Sequence, residues 1–210
     1  MTASENEQYF AAEPTSEDVR RTLHVTLRGH ETDVQVSNGV FSGNRLDLGT
    51  SVLLRHAPDP APCKDHAMQV LDLGCGWGPI ALSLAHAAPE ATVWAVDVNE
   101  RALDLTATNA AARGFDAVHA VSPDDVPSDI QFDVIWSNPP IRIGKEALHE
   151  LLMRWLPRLT VGGEAYLVVQ RNLGSDSLMH WLDTALGEGF SVSKYASSKG
   201  YRVIEVLHTR

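Results

Sequence analysis

The sequence has no apolar run long enough to span a bilayer; its most apolar stretches, such as Ala165–Val169, are of strand length. An apolar h-region is missing too: Met1–Ser16 is polar and acidic, so neither an anchor nor a secretory signal is expected, and the expected compartment is cytoplasmic. Only two cysteines, Cys63 and Cys75, occur in 210 residues, too few for a disulfide framework and suited to a reducing environment. Basic residues are in deficit, with 17 Lys and Arg against 27 Asp and Glu and a net charge of −10. That excludes a general nucleic-acid coat, which needs a positive face to neutralise phosphates. The deficit is uneven. Residues 131–210 hold nine basic against eight acidic groups, and the first 130 hold eight against nineteen, so RNA binding by the C-terminal part is permitted. Also missing are a Gly-x-Ser-x-Gly elbow, a Walker loop, and the second histidine that would turn His149-Glu150 into a zinc-binding helix motif. No metal is expected. No repeat or low-complexity tract interrupts the chain.

What remains is the composition of an ordinary globular protein, 44% hydrophobic and 21% charged, long enough for one α/β domain. From Met68 onward, short apolar runs alternate with helical patterns, as in a parallel sheet covered on both faces. Strands are predicted at 69–73, 92–96, 117–121, 132–137 and 165–170. Helices are predicted at 79–88, starting on Pro79, and at 100–113, stopped by Gly114, then at 145–156 and 176–186. Two closing strands, 191–196 and 201–207, meet around Lys199-Gly200 and are expected to pair antiparallel. The first 62 residues differ: a small hairpin at 22–36 around Gly29-His30-Glu31, a short helix at 46–56, and a Pro-rich linker at 58–62. We expect residues 1–62 to form an extension packing on a core domain of residues 63–210. Trp77, Trp94, Trp136, Trp155 and Trp181 fall in or beside core elements and are read mostly as packing.

The strongest local pattern is Asp72-Leu73-Gly74-Cys75-Gly76-Trp77-Gly78-Pro79. Glycines after a buried strand let the backbone turn sharply and approach a ligand without a Cβ. The spacing is Gly-x-Gly-x-Gly, and Pro79 breaks the dinucleotide fingerprint, so a nicotinamide dehydrogenase is disfavoured. Asp97 closes the next strand, where a carboxylate can accept hydrogen bonds from both ribose hydroxyls of a nucleoside, and Asn99 is the better helix cap. After the third strand comes Ser122-Pro123-Asp124-Asp125, where Pro123 interrupts a polar run and Ser122, Asp124 and Asp125 all remain open as partners of a nucleoside's base.

The fourth strand ends in Ser137-Asn138-Pro139-Pro140-Ile141. An amino group on a base or amide is delocalised and a poor nucleophile. The Asn138 side-chain oxygen and the Pro139 carbonyl are expected to accept one amine hydrogen each, drawing the nitrogen toward sp³ and aiming its lone pair. Two prolines stiffen the loop, so both acceptors are in place before reaction.

Taken in order, these motifs resemble the class I S-adenosylmethionine-dependent methyltransferases with an Asn-Pro-Pro motif. Within that class they are most similar to the "methyltransferase small" domain family and its ribosomal RNA guanine-N2 enzymes. Gly39-Val40-Phe41-Ser42, Leu46-Asp47-x-Gly49-Thr50, Ile141–Lys145 and Lys199–Val203 extend the likeness over nearly the whole chain. The resemblance implies a Rossmann-like fold, a seven-stranded mostly parallel sheet with an antiparallel last strand, and S-adenosylmethionine as cofactor. It implies cofactor contacts from Asp72, Gly74, Cys75, Gly76, Gly78, Asp97, Val98, Ser122 and Asn138. Catalytic roles fall to Asn138, Pro139 and Pro140, and substrate contacts to Ile141, Arg142 and Lys145. Guanine N2 in ribosomal RNA, with the small subunit favoured, is the implied target, and ribosomal RNA or a ribosomal subunit the partner of a monomer or weak homodimer. Two departures stand out. Ile141 replaces the aromatic that many relatives use to stack on the base, leaving Tyr9, Phe10 or Phe41 to supply one, and the additional half of larger relatives is missing. Protein glutamine N5 or adenine N6 methylation are the rival activities, and a cofactor-binding, ribosome-associated module the rival without catalysis.

Overall fold

A computed structural model describes residues 16–63 and 65–210. The chain opens with a two-stranded antiparallel ribbon, β1 (Arg21–Leu27) and β2 (His30–Val36). Its turn is tighter than expected. Arg28 and Gly29 take φ of 49° and 89°, the two left-handed residues of a two-residue hairpin loop whose twist matches the strands. Helix α1 (Leu48–His56) follows, capped by Asp47, whose side chain accepts the Thr50 N–H.

The main sheet contains β3 (Gln69–Leu73), β4 (Thr92–Val96), β5 (Val118–Val121), β6 (Phe132–Ser137), β7 (Leu159–Gln170), β8 (Phe190–Ser198) and β9 (Tyr201–His208). Its order is β5-β4-β3-β6-β7-β9-β8. Strands β3 to β7 pair in parallel, and β9 runs antiparallel to both β7 and β8, so the last strand alone is reversed. This is the expected α/β, Rossmann-like architecture. Helices α2 (Pro79–Ala87), α3 (Glu100–Ala111), α4 (Lys145–Trp155) and α5 (Ser175–Leu186) complete it. Asn99 caps α3 as anticipated, its side chain accepting from the N–H groups of Arg101 and Ala102.

Strand β6 is buried at all six positions, so Phe132 and the run Val134–Trp136 are apolar on both faces rather than alternating, and the two polar residues, Asp133 and Ser137, are buried with them. Each such large side chain withdrawn from water stabilises by roughly 1.5–3 kcal/mol. One face of the sheet shares a core with the hairpin, α1, α2 and α3 (Val34, Val36, Leu53, Trp77, Leu105); the other buries Leu152, Trp155 and Leu182 of α4 and α5. Strand β7 begins six residues earlier than predicted. Leu159 pairs with Phe132 and Glu164 with Val134, and the excess is absorbed by an irregularity at Gly162-Gly163, where a Cβ on Gly163 would lie 2.9 Å from the Phe132 carbonyl. Trp77, Trp136 and Trp155 are fully buried; Trp94 and Trp181 pack at the margin. No helix among the described residues is long and apolar enough to cross a membrane.

Candidate active site

From β3 the chain first crosses to β4 and β5 on one side, then returns to β6 on the other. Open α/β sheets bind ligands at the carboxyl edge of such a reversal. A cavity of about 250 Å³ lies there. Its walls come from the loop after β3 (Gly74, Gly76), the end of β4 (Asp97, Val98), Pro123 after β5, and Asn138–Arg142 after β6. Phe41, Asp47 and Tyr201 also line it. A wider groove of about 1050 Å³ runs between the hairpin turn and α1 and α2, but it is open and bordered by none of the residues expected to contact cofactor or substrate.

The glycine loop is stitched to β4. The N–H groups of Gly74 and Cys75 both donate to the Val96 carbonyl, at 2.8 and 3.1 Å. Gly76 N–H donates to Asp97 Oδ2 and Asn99 N–H to Asp97 Oδ1, both at 3.0 Å. Burial pushes this carboxyl above its usual range, and the N–H groups of Asn99, Gly76 and Val98 pull part of the way back. Gly74 has φ of 83° and nothing within 4 Å of where a Cβ would stand, so the loop opens onto the cavity at that point.

Other predicted residues sit elsewhere. Gly78 does not border the cavity; a Cβ there would meet Thr106 Oγ1 at 3.0 Å, so this glycine permits close packing on α3. Asp72 is fully buried beneath the loop, its Oδ2 accepting from Ala81 N–H at 2.8 Å. It serves the first turn of α2, whose cap position, Gly78, has no side chain to offer. Burial drives its pKa well up, Ala81 N–H opposes this, and the Asp97 charge adds to it. Cys75 points into the core, 3.5 Å from Thr106 Oγ1. Ser122 donates to Asp125 at 2.7 Å and Asp124 pairs with Arg154, leaving Pro123 as the wall. Val98, Ile141 and Arg142 line the cavity; Lys145 stands outside it, exposed at the start of α4.

At the Asn-Pro-Pro turn, Asn138 Nδ2 donates to Asp47 Oδ2 at 2.9 Å and to Thr50 Oγ1 at 3.0 Å. The Pro139 carbonyl accepts from Ile141 N–H at 2.8 Å around Pro140 (φ −74°, ψ 73°), an inverse γ-turn that leaves it one further lone pair. The buried Ser137 hydroxyl donates to the Leu73 carbonyl at 2.6 Å, tying β6 to β3 beneath the cavity. Sequence reasoning assigned no site role to Asp47, Thr50 and Tyr201. Their segments stood out only as family-like stretches, since a residue's distance from a motif in sequence says nothing of its distance in space. Of the aromatics expected to stack on a base, Phe41 borders the cavity, while Tyr9 and Phe10 lie outside the described residues.

His149 stacks on Trp181, with ring centroids 3.4 Å apart. Cys63, His66 and Asp133 bring potential metal-ligating atoms within 4.8 Å of one another, at the amino end of β6 and so at the sheet's far edge. There Asp133 already accepts hydrogen bonds from His66, Gln69 N–H and Thr160.

Residues 31–205 match the family model described as "methyltransferase small domain". The chain is 32% identical over 203 residues to the Bacillus subtilis (strain 168) protein YbxB, itself uncharacterized, spanning 95% of this chain and 98% of that one. It is 35% identical over 151 residues to the ribosomal RNA small subunit methyltransferase C of Shewanella loihica, covering 70% of this chain but only 42% of the relative. In three dimensions it superposes on the T. thermophilus 16S rRNA N2 G1207 methyltransferase, solved with AdoMet and guanosine. The TM-score is 0.72 at 22% identity, over 94% of this chain and 52% of that one.

Proposed function

The chain belongs to the methyltransferase small domain family, and from that premise we propose that it moves the methyl group of S-adenosylmethionine to the N2 amine of a guanine in ribosomal RNA, the small subunit being favoured. The reading rests on one observation: Gly74, Asp97 and Asn138, from three separate strand ends, border a single cavity at the sheet's reversal point. The residues suit the donor. Asp97 would hold the ribose hydroxyls, the open face at Gly74 the methionine end, and Val98 and Pro123 the flat sides of the adenine. When bound, S-adenosylmethionine supplies an electrophilic sulfonium methyl.

Asn138 Oδ1 and the spare lone pair of the Pro139 carbonyl would accept the two amine hydrogens. So held by Asn138 and Pro139, the amine nitrogen would present its lone pair to the methyl group that S-adenosylmethionine supplies, and sulfur would keep the electron pair of the broken C–S bond. The surplus proton departs from nitrogen afterwards, so no strong base is needed. Residues 63–210 would carry the transferase and residues 1–62 an extension completing its acceptor wall. Ile141 and Arg142 would meet the RNA, with Lys145 nearby, in a cytoplasmic monomer or weak homodimer. The test is mass mapping of ribosomal RNA from cells with and without the protein, paired with tritiated-methyl transfer to small subunits from the deleted strain. Label entering protein instead of RNA would replace this reading with glutamine methylation.

A further inference from the structure

We propose that Asp47 and Thr50 are positioning residues that fix which face of the Asn138 amide the substrate meets, a role that rests on the proposed N-methyl transfer. A carboxamide has an accepting end and a donating end of nearly equal shape, and only the accepting end can draw a hydrogen from an amine. Turned the other way, Asn138 would point its own N–H groups at the amine and repel it.

The chemistry of the partners decides which end faces where. An ionised carboxylate accepts and never donates, so the group 2.9 Å from Asp47 Oδ2 must be the amide nitrogen. Its second hydrogen goes to Thr50 Oγ1 at 3.0 Å. Both donors are thereby consumed, and among the described residues no protein group donates to Asn138 Oδ1. A flipped amide would set oxygen against oxygen at Asp47. Donation to a charged acceptor also polarises the amide and enriches Oδ1 in electron density, making it the better acceptor.

The clamp is built rather than incidental. Asp47 Oδ2 also accepts Thr50 N–H at 3.0 Å as the cap of α1, where the helix dipole favours its negative charge. Between them, a Cβ on Gly49 would come within 2.9 Å of both Asp47 Oδ2 and the Tyr201 ring. Each fixed residue of Asp47-x-Gly49-Thr50 therefore has a task in one arrangement that ends at Asn138.

Helix capping and amide orientation can be separated by Asp47→Ser and Asp47→Asn. Serine caps as well as aspartate but is too short to reach Asn138, whereas asparagine keeps both a cap and an accepting oxygen. The assay is single-turnover methyl transfer from tritiated S-adenosylmethionine to small ribosomal subunits from the deleted strain, with Asn138→Ala as control and calorimetry for cofactor affinity. We expect Asp47→Ser to turn over about 10- to 100-fold more slowly with cofactor affinity within about twofold, and Asp47→Asn to recover to within about fivefold of the parent. In the free protein, the Asn138 side-chain amide, identified by its loss in Asn138→Asp, should show slowed hydrogen exchange that Asp47→Ser abolishes. Full turnover in Asp47→Ser while Asn138→Ala is inactive would overturn the clamp and leave the transfer mechanism standing. Full turnover in Asn138→Ala would overturn the mechanism itself, and a freely exchanging Asn138 amide in the parent would overturn the clamp without any substrate.

Discussion

Gly74 and Gly78 stand four residues apart in one loop with similar left-handed backbones, φ of 83° and 94°, yet alanine should act on different properties at the two. Holding alanine in that region costs about 1–2 kcal/mol at either site. At Gly74 nothing lies within 4 Å of the new methyl, so the penalty ends there, a fall in Tm of roughly 2–8 °C for a chain of this size. The methyl group enters the cavity, however, and S-adenosylmethionine affinity should drop by at least about tenfold, which is about 1.4 kcal/mol. At Gly78 the methyl meets Thr106 Oγ1 and Cγ2 at 3.0 and 3.1 Å, adding about 1–3 kcal/mol of overpacking, for a total of about 2–5 kcal/mol with a smaller effect on affinity. Urea denaturation and calorimetry on both variants separate the two. A cycle with Thr106→Ala should show Gly78→Ala costing about 1 kcal/mol less once the threonine is gone. Unchanged cofactor affinity in Gly74→Ala would refute the assignment of that face to the ligand.

Asp97→Ala should weaken S-adenosylmethionine binding by about tenfold or more, read by calorimetry, because the ribose loses its acceptor. The parent's affinity should fall as pH drops through the raised Asp97 pKa, and Asp97→Asn should remove that dependence; identical pH profiles would count against the carboxylate as the ribose acceptor. Asp72 titrates with the opposite consequence for stability. Its folded-state pKa lies well above 3.8, so the native state binds more protons than the unfolded chain, and stability from this group is lost as pH rises from that value through the folded pKa. Asp72→Asn should flatten the pH dependence of urea stability over that range, and a slope equal to the parent's would show that the buried charge is not penalised. Arg171→Gln with Lys199→Gln should weaken binding to a ribosomal RNA fragment and lower the salt slope by about 0.7–0.9 for each phosphate no longer neutralised, with cofactor affinity unaltered. An unchanged slope would remove these two from the RNA face.

The sheet was legible because its central strands are buried on both faces. Gln69–Leu73 and Phe132–Ser137 read as strands with their observed ends for that reason. Local chemistry was equally readable where one residue type does one job: Asn99 as a cap, Pro79 at a helix start, Lys199-Gly200 as a turn. Roles that depend on what a side chain faces were not. Asp72 and Asp97 both lie at or beside strand ends near the glycine loop, and only packing shows that one supports a buried helix start while the other borders the cavity. Asn109 gave no signal at all. Buried on α3, it bonds both backbone groups of Gln35 and the Trp77 carbonyl, joining the hairpin to the glycine loop, but its sequence neighbours are ordinary helix formers.

Charge is the case where composition misleads until topology is known. A net charge of −10 argues against RNA as a partner, but the argument assumes that all charges are felt at one place. Because β9 is antiparallel to both neighbours, β8 runs with the parallel strands and its turn, Lys199-Gly200, emerges at the cavity's edge of the sheet. Arg171 at the end of β7 donates its N–H to the Gly200 carbonyl at 2.9 Å, so the two cations flank one rim, with Arg142 on the cavity wall and Lys145 just beyond it. Other basic groups of the C-terminal part are engaged elsewhere: Arg154 with Asp124, Arg202 with Asp176, and Arg158 over the Trp155 ring. Several acidic groups of the first 130 residues pair on the hairpin side, Asp18 and Asp104 with Arg20, and Asp59 with Arg28. Exposed charges farther apart than about 8–10 Å are largely screened at physiological salt. A phosphate approaching the rim would therefore meet its local cations rather than the total, and an acidic protein can present a basic edge to RNA without contradiction.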